Sequence, residues 1–424
     1  MQSIANPKPS ELSNLSFYFP VIVCMFALVS CATAPRRPAP PMVLSNASPA
    51  GFAPTIRLVT TDLAGFSRRA SSMFSGIRRS AGKGPVNVLE LSGGGSAGAF
   101  GAGALVGLTN AHDRPRFDLV TGVSAGALIA PFAFLGPSWN PQLKAAFTSN
   151  YRGIFGGSTF WQFGSRLFSP LGYKSDDPLF RLVDRYVTPE LIAAVAHESA
   201  SGRRLIVATT NLDSEETVLW DMSAIAEHGG RSARILFRDV LVASASVPGF
   251  FPPVLIPVRE GTHAYDELHV DGGITTSVFV LPLVANLLSH LPTLHGGKLY
   301  IIVNSQLAHL PKSTPVNTLS ILMRSSSAAL TYNTRRAIIN TINLSRRLGM
   351  QLRVTAIPAS FPVRHSLDFN PKYMRKLFDY GEQCAAGGHL WLTPKQANKL
   401  NMSARPGSKG VPSTCPNESL PSLP

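Results

Sequence analysis

The chain has 424 residues, 45% of them hydrophobic, with 39 basic against 24 acidic side chains, a formal charge of +15 and a mean hydropathy of +0.12. That is too apolar for a disordered chain, and no apolar run recurs as it would in a multispanning membrane protein. The length allows one large core, expected as a single catalytic-size domain of about 300 residues plus tails.

The chain opens on an apolar run from Leu15 to Ser30 of signal-peptide length, flanked by Lys8 and Glu11. Leu28-Val29-Ser30-Cys31 resembles the bacterial lipoprotein box, whose cysteine is lipidated and becomes the mature N-terminus. In such proteins a residue like Ala32 after the cysteine, rather than Asp, accompanies sorting to the outer membrane. The expectation is therefore a signal peptide over 1–30, a lipid anchor on Cys31 and a place in the bacterial cell envelope, at the outer membrane. The competing readings are a buried start of the fold and an uncleaved membrane helix, for which the run is short. Cys384 and Cys415 are then the ordinary cysteines left, compatible with a disulfide in an oxidising compartment or with free thiols.

From 31 to 85 the composition turns to Pro, Ala, Ser and Arg, with eight basic residues against Asp62 alone. The Pro-rich part, Ala34 to Pro54, reads as an extended tether. Beyond it Leu63, Phe66, Ala70, Met73, Phe74 and Ile77 fall on one helical stripe with arginine pairs outside it. Such a basic amphipathic helix either meets anionic headgroups beside the anchor or packs on the core with a solvated basic face. No aromatic-interleaved basic surface points to nucleic acid.

A catalytic domain is expected over 86–395. Val86 to Leu91 reads as a strand, broken by Ser92-Gly93-Gly94-Gly95-Ser96-Ala97-Gly98 before a small-residue helix from about Ala99 to Thr109. Strand, glycine turn and helix make an anion-binding arrangement, because unpaired N–H groups at a helix start can be approached closely. A P-loop is excluded, since no Lys-Ser/Thr pair follows the last glycine. A dinucleotide fingerprint is weakly matched, with only Asp113 and Asp118 as ribose ligands, and an oxyanion hole is the third reading.

The next strand, Phe117 to Thr121, runs into Gly122-Val123-Ser124-Ala125-Gly126 and a helix through Ala127 to Ala130. This is a G-x-S-x-G elbow, in which a strained strand-to-helix turn forces the serine outward between small neighbours. Pro131 is expected to kink the helix behind it. The base that takes the serine proton is either a late histidine, His365 or His389, or a carboxylate. Leu268-His269-Val270 ends a strand and Asp271-Gly272-Gly273 turns sharply after it, which makes Asp271 the stronger candidate.

The glycine-rich loop, the G-x-S-x-G elbow and the D-G-G motif, in this order, resemble the patatin-like phospholipase family over roughly Val86 to Val303. Ala243-Ser244-Ala245-Ser246-Val247-Pro248 and the following residues to Val254 are similar to the family's segment before its aspartate. The resemblance implies a three-layer α/β sandwich with a mainly parallel sheet and helices on both faces. It further implies a Ser124–Asp271 dyad without histidine, a backbone oxyanion hole at Gly93 to Gly98, an acyl-enzyme, and no metal or other cofactor. The implied activity is a lipid acyl hydrolase of phospholipase A or lysophospholipase type. Its partners would be a phospholipid or other acyl ester, and the membrane surface reached through the lipid anchor and the basic segment. Acyl transfer by the same dyad, and a catalytically weak lipid-binding lipoprotein, are the alternatives. Ala97 departs from the family, many of whose members carry Arg or Lys there.

Phe132 to Gly136 and Leu241 to Val254 are apolar enough to line an acyl slot, or simply to be core. Leu205 to Thr209 and Leu299 to Val303 read as strands covered on both faces. Helical patterns occupy Pro178 to Ala196, Ser232 to Ala245 and Pro315 to Gly349, and Asn370-Pro371 reads as a helix start. Arg335, Arg336, Arg346 and Arg347 repeat at eleven residues, which places both pairs on one helix face, against headgroups or in water. Residues 396–424 read as a flexible tail. There is no internal repeat and no Cys/His spacing for a metal.

Overall fold

The computed structural model describes residues 36–40, 43, 47–59, 63–149, 177–276, 294–308, 311, 313–402 and 415–416. The expected signal peptide and Cys31 lie outside them.

Five parallel strands form the centre of the sheet, in the order β10 (Gln351–Ile357), β9 (Lys298–Gln306), β3 (Asn87–Leu91), β4 (Leu119–Val123) and β5 (Arg204–Asn211). Beyond β5 lies an antiparallel wing of β6 (Glu216–Asp221), β8 (His263–Asp271) and β7 (Val254–Glu260). Period-two alternation sends side chains into two separate cores. Leu89, Leu91, Val120, Leu205, Val207 and Ile302 face one core; Val88, Leu119, Ile206, Ala208, Ile301 and Val303 face the other. Apolar residues on both pleat faces require a helical layer on each side, and this is the expected α/β sandwich.

The first layer holds α2 (Gly98–Asn110), α3 (Ala125–Leu135), α4 (Asn140–Thr148), α5 (Pro178–Tyr186), α6 (Pro189–Ser199), α7 (Met222–His228), α8 (Gly230–Ser244) and α10 (Pro371–Ala386). The second holds α1 (Leu63–Ala81), α9 (Thr318–Arg347) and α11 (Pro394–Met402). The small residues of α2 let it lie against α10 almost backbone to backbone: a methyl on Gly103 would sit 2.0 Å from the Phe378 carbonyl oxygen. Pro131 lies inside α3, whose helix continues from Ala125 to Leu135.

Four expectations need correction. The stretch read as a tether, and the residues just after it, join the sheet instead: β1 (Ser48–Pro49) pairs with β7 and β2 (Arg57–Val59) with β6. The reason is a buried cation, since Arg57 is 4% exposed and grips the fully buried Glu267 of β8 at 2.5 and 3.1 Å. The pattern from Pro178 to Ala196 is two helices, because Thr188 caps a new one whose first residue is Pro189. The tail expected after 395 begins as α11, with Ala397 and Leu400 buried, and Cys384 is bonded to Cys415. Arg335 is buried and does not share the outer face of Arg336, Arg346 and Arg347. In α1, Phe74 and Ile77 are buried in the second core, so the C-terminal end of its apolar stripe faces protein.

Candidate active site

The chain steps from β3 to β4 to β5 in one direction and places β9 on the other side of β3. Crevices outside the carboxyl ends of strands at such a reversal are where α/β sheets bind ligands. The glycine loop follows β3 and the elbow follows β4 at that same edge, so the N-termini of α2 and α3 converge there.

Ser124 sits at φ +54° and ψ −125°, a conformation that costs a non-glycine residue about 1–3 kcal/mol. The turn is held by Ser244 of α8, whose Oγ accepts the Ser124 N–H at 3.0 Å and donates to the Ala208 carbonyl at 2.7 Å. Small neighbours are needed here because a methyl on Gly126 would sit 2.2 Å from the Leu91 carbonyl oxygen.

Asp271 arrives from the opposite direction. On one flank of β5, β4 pairs as far as Val123 opposite Ala208, and the next residue, Thr209, pairs with Asp271 of antiparallel β8. Two strands meeting end to end beside a third thus bring together side chains 147 residues apart. The Ser124 hydroxyl donates to Asp271 Oδ2 at 2.6 Å, and the Gly273 N–H donates to Oδ1 at 2.7 Å. The Asp271 N–H donates to the Ser246 carbonyl at 2.9 Å, which fixes the strand end. Ser124 is 7% exposed and Asp271 5%. Burial pushes the Asp271 carboxyl up to about 6, against the pull of the Ser124 and Gly273 hydrogen bonds. At neutral pH it is therefore ionised yet a better base than an exposed aspartate near its ordinary value.

The hydroxyl's hydrogen bond goes to Asp271 and not to His365 or His389. His365 lies on an exposed loop with its ring 6.3 Å from Phe250, and its Nδ1 accepts the Leu367 N–H. His389 lies just beyond the end of α10. His269 is fully buried and turned to Thr209 Oγ1 and Glu267 Oε2, at 3.0 and 3.1 Å. Asp118 accepts the Asn87 N–H and the Ser80 hydroxyl, a structural role.

Opposite the serine, Gly93 to Gly98 form the glycine turn. Gly95 has φ +58°, and a methyl there would lie 2.0 Å from the Ser366 carbonyl oxygen, which accepts the Ser96 N–H at 2.7 Å. Among the hydrogen bonds of the described residues, none uses the N–H of Gly94, Gly95 or Ala125. The Ala97 side chain is buried and brings no cation.

Three parts of the site had little signal in the sequence. Asn304, at the end of β9, is fully buried and ties down the glycine loop. Its Nδ2 donates to the Ser92 carbonyl at 2.8 Å, its N–H donates to Ser92 Oγ at 2.7 Å, and its Oδ1 accepts the Gly101 N–H at 3.1 Å. Ser366 and its loop come from beyond the motif-bearing region. Ser244 lies in the segment before Asp271, but nothing in a lone serine marks it as a support for the elbow.

An apolar cavity of about 70 Å³ opens beside Ser124 and Gly95. It runs along α3 past Leu128 and Pro131 to Phe132, whose ring meets that of Tyr186 edge-on at 6.1 Å. Leu241, Ala245, Val247 and Phe251 line another side, and Leu367 and Phe369 complete it. Phe132, with Leu241, Ala245, Val247 and Phe251 of the second stretch, thus lines a slot, whereas Ala133 and Phe134 are core alone. Among the described residues no cluster of His, Cys, Asp and Glu can hold a metal ion.

A serine elbow, a carboxylate partner and an apolar slot thus meet at one edge of a mostly parallel α/β sheet. Residues 89–284 match the family model described as patatin-like phospholipase, and this stretch is a patatin-like phospholipase domain, from a family of lipid acyl hydrolases. No curated protein matches the chain. Among solved structures, that of VipD from Legionella pneumophila resembles it at a TM-score of 0.33 and 11% identity, over 75% of this chain and 70% of VipD, a likeness too slight to carry an argument.

Proposed function

We propose that the protein hydrolyses acyl esters of lipids through a Ser124–Asp271 dyad and a covalent acyl-enzyme. The observation that carries this reading is the 2.6 Å contact between hydroxyl and carboxylate at the mouth of an apolar slot. The acyl chain enters the slot along α3, which places the ester carbonyl over Ser124. Asp271 takes the hydroxyl proton as Oγ attacks, and the N–H groups of Gly94, Gly95 and Ala125 receive the oxyanion, each such donor contributing about 3 kcal/mol of barrier lowering. The α2 and α3 N-termini add their positive ends to that charge. The alcohol portion leaves with the proton from Asp271, and water then releases the acyl group by the same steps.

Ser124→Ala and Asp271→Asn should each abolish ester hydrolysis in folded protein, read as free fatty acid and lysolipid by mass spectrometry after incubation with mixed phospholipids. A fluorophosphonate should label the wild type at Ser124. Turnover retained by Asp271→Asn but lost in His365→Ala or His389→Ala would move the base to a histidine.

The lipoprotein box at Leu28-Val29-Ser30-Cys31 supports a lipid anchor on Cys31 and a place in the cell envelope. Incorporation of labelled palmitate by the wild type but not by Cys31→Ser tests them. Among the described residues no helix is long and apolar enough to cross a membrane.

A further inference from the structure

Among the described residues, the N-terminal part of α9 is largely exposed, with Leu330 touching the turn at Gly273. From Ile321 to Leu330 every residue whose side chain is described is exposed, whereas from Thr334 onward one face of the helix is buried. The helix is nonetheless built to start there, because Asn317 caps it by accepting the Ser320 N–H. A helical segment this exposed is marginal in water, more so with Ser325, Ser326 and Ser327 in it, and so gains from a surface it can lie on.

Its outward stripe has a specific character. At 100° per residue Ile321, Leu322, Ala329, Tyr332, Arg336, Ile339 and Arg347 share the side opposite the buried residues Ile338, Ile342 and Ser345. Leu322 is 58% exposed and Tyr332 63%. Six of the nine large apolar residues exposed among the described ones lie between Val316 and Ile339. The helix contains arginines and no acidic residue. Aliphatic side chains, a tyrosine and arginines with long apolar stems on one face make a helix suited to lie in a headgroup layer.

Position adds the second argument. Leu330 packs over the turn that carries the catalytic acid: a methyl on Gly273 would meet its Cδ2 at 3.6 Å and Asp271 Oδ1 at 2.9 Å. Ile274, also exposed, continues the apolar surface to within three residues of Asp271.

We infer that the outward stripe of α9, from Ile321 through Tyr332 to Arg336, is an interfacial face that seats the active-site edge on a bilayer bearing anionic phospholipid. The charge decides the occupant: the stripe holds no acid and carries Arg336 one turn after Tyr332 and Arg347 at its far end, on a chain of net charge +15, and so complements an anionic surface. The inference goes beyond the hydrolase reading and stands without it, since binding requires no turnover.

The test attaches an environment-sensitive dye to Leu322→Cys in the full chain carrying Cys24→Ser and Cys31→Ser. A second chain carries the dye at Lys83→Cys, in the exposed loop before β3, at the opposite end of the parallel strands. Vesicles of phosphatidylcholine with about one third phosphatidylglycerol should raise the emission at position 322 severalfold and shift it to the blue, with no change at 83 and a weaker response to phosphatidylcholine alone. Ser124→Ala in the same background should respond identically, which separates this result from the fate of the hydrolase reading. In a second arm, the triple variant Ile321→Ser, Leu322→Ser, Tyr332→Ser should keep wild-type turnover of a soluble short-chain ester and lose at least tenfold on vesicles. Equal responses at 322 and 83, or a blue-shifted emission at 322 before vesicles are added because another copy or another segment covers the helix, would overturn the inference. So would unchanged vesicle turnover in the triple variant.

Discussion

Replacing Asp271 with asparagine should make the protein inactive and, at neutral pH, more stable. The carboxyl is buried and its pKa is raised from 3.8 to about 6, mainly by desolvation. The folded state therefore holds this proton more tightly than the unfolded chain does. Stability from this group is full below about pH 4, where both states are protonated, and is lost as pH rises through about 6. Two pH units at 1.36 kcal/mol each come to about 3 kcal/mol, a sizeable part of the 5–15 kcal/mol that holds a typical domain. Asparagine carries no charge and keeps an oxygen for the Gly273 N–H, so whatever its hydrogen bonds change is independent of pH. Other titrating groups, including Asp221, which burial also pushes up to about 6, are common to both proteins and cancel in the difference. Urea unfolding of both proteins between about pH 4 and 8 measures it, with the variant gaining about 3 kcal/mol on the wild type across that range. A difference that stays constant with pH would mean that the Asp271 carboxylate is not held desolvated against its charge, and the argument for a strengthened base would fail with it.

Activity should follow the same proton: kcat/KM on a soluble ester should fall below about pH 6 as Asp271 is protonated, and a profile flat down to pH 4.5 would contradict its role as base. Asn304→Ala removes the two side-chain hydrogen bonds that tie Ser92 and Gly101 together, leaving the backbone one, and should lower kcat by at least tenfold while costing about 2 kcal/mol in a denaturant melt. Arg57→Ala leaves Glu267 buried without its cation and should destabilise by about 3–5 kcal/mol, read from the same melts. Reduction of Cys384–Cys415 opens a 31-residue separation and should lower unfolding free energy by about 3–4 kcal/mol on the chain-entropy account, measured with and without reductant.

The legible parts of this protein are those written in local chemistry. A glycine run after an apolar strand, a serine between glycines and an aspartate before two glycines each declare a turn, and turns at strand ends are where sites form. Continuous apolar runs such as Leu205 to Thr209 declared strands covered on both faces. Long-range partnership left weaker traces. Arg57 looked like one more basic residue in a proline-rich stretch, because its meaning depends on Glu267, 210 positions away. Asn304 is an ordinary polar residue at the end of a strand until α2 and Ser92 close around it. The buried Arg335 shows the same limit from the other side, since helical spacing fixes a shared face only approximately and does not say what packs against it.

The end-to-end meeting of β4 and β8 beside β5 has a further consequence. Because both reacting groups are aligned by one ladder, a slip of β8 by a single residue would turn Asp271 to the opposite side of the sheet. Catalysis is thus tied to the alignment of the central strands, so heat inactivation should coincide with melting of the sheet instead of preceding it. Enzyme assay and far-ultraviolet dichroism would then trace one curve, and the hydrolysis itself becomes a gauge of whether the scaffold is intact.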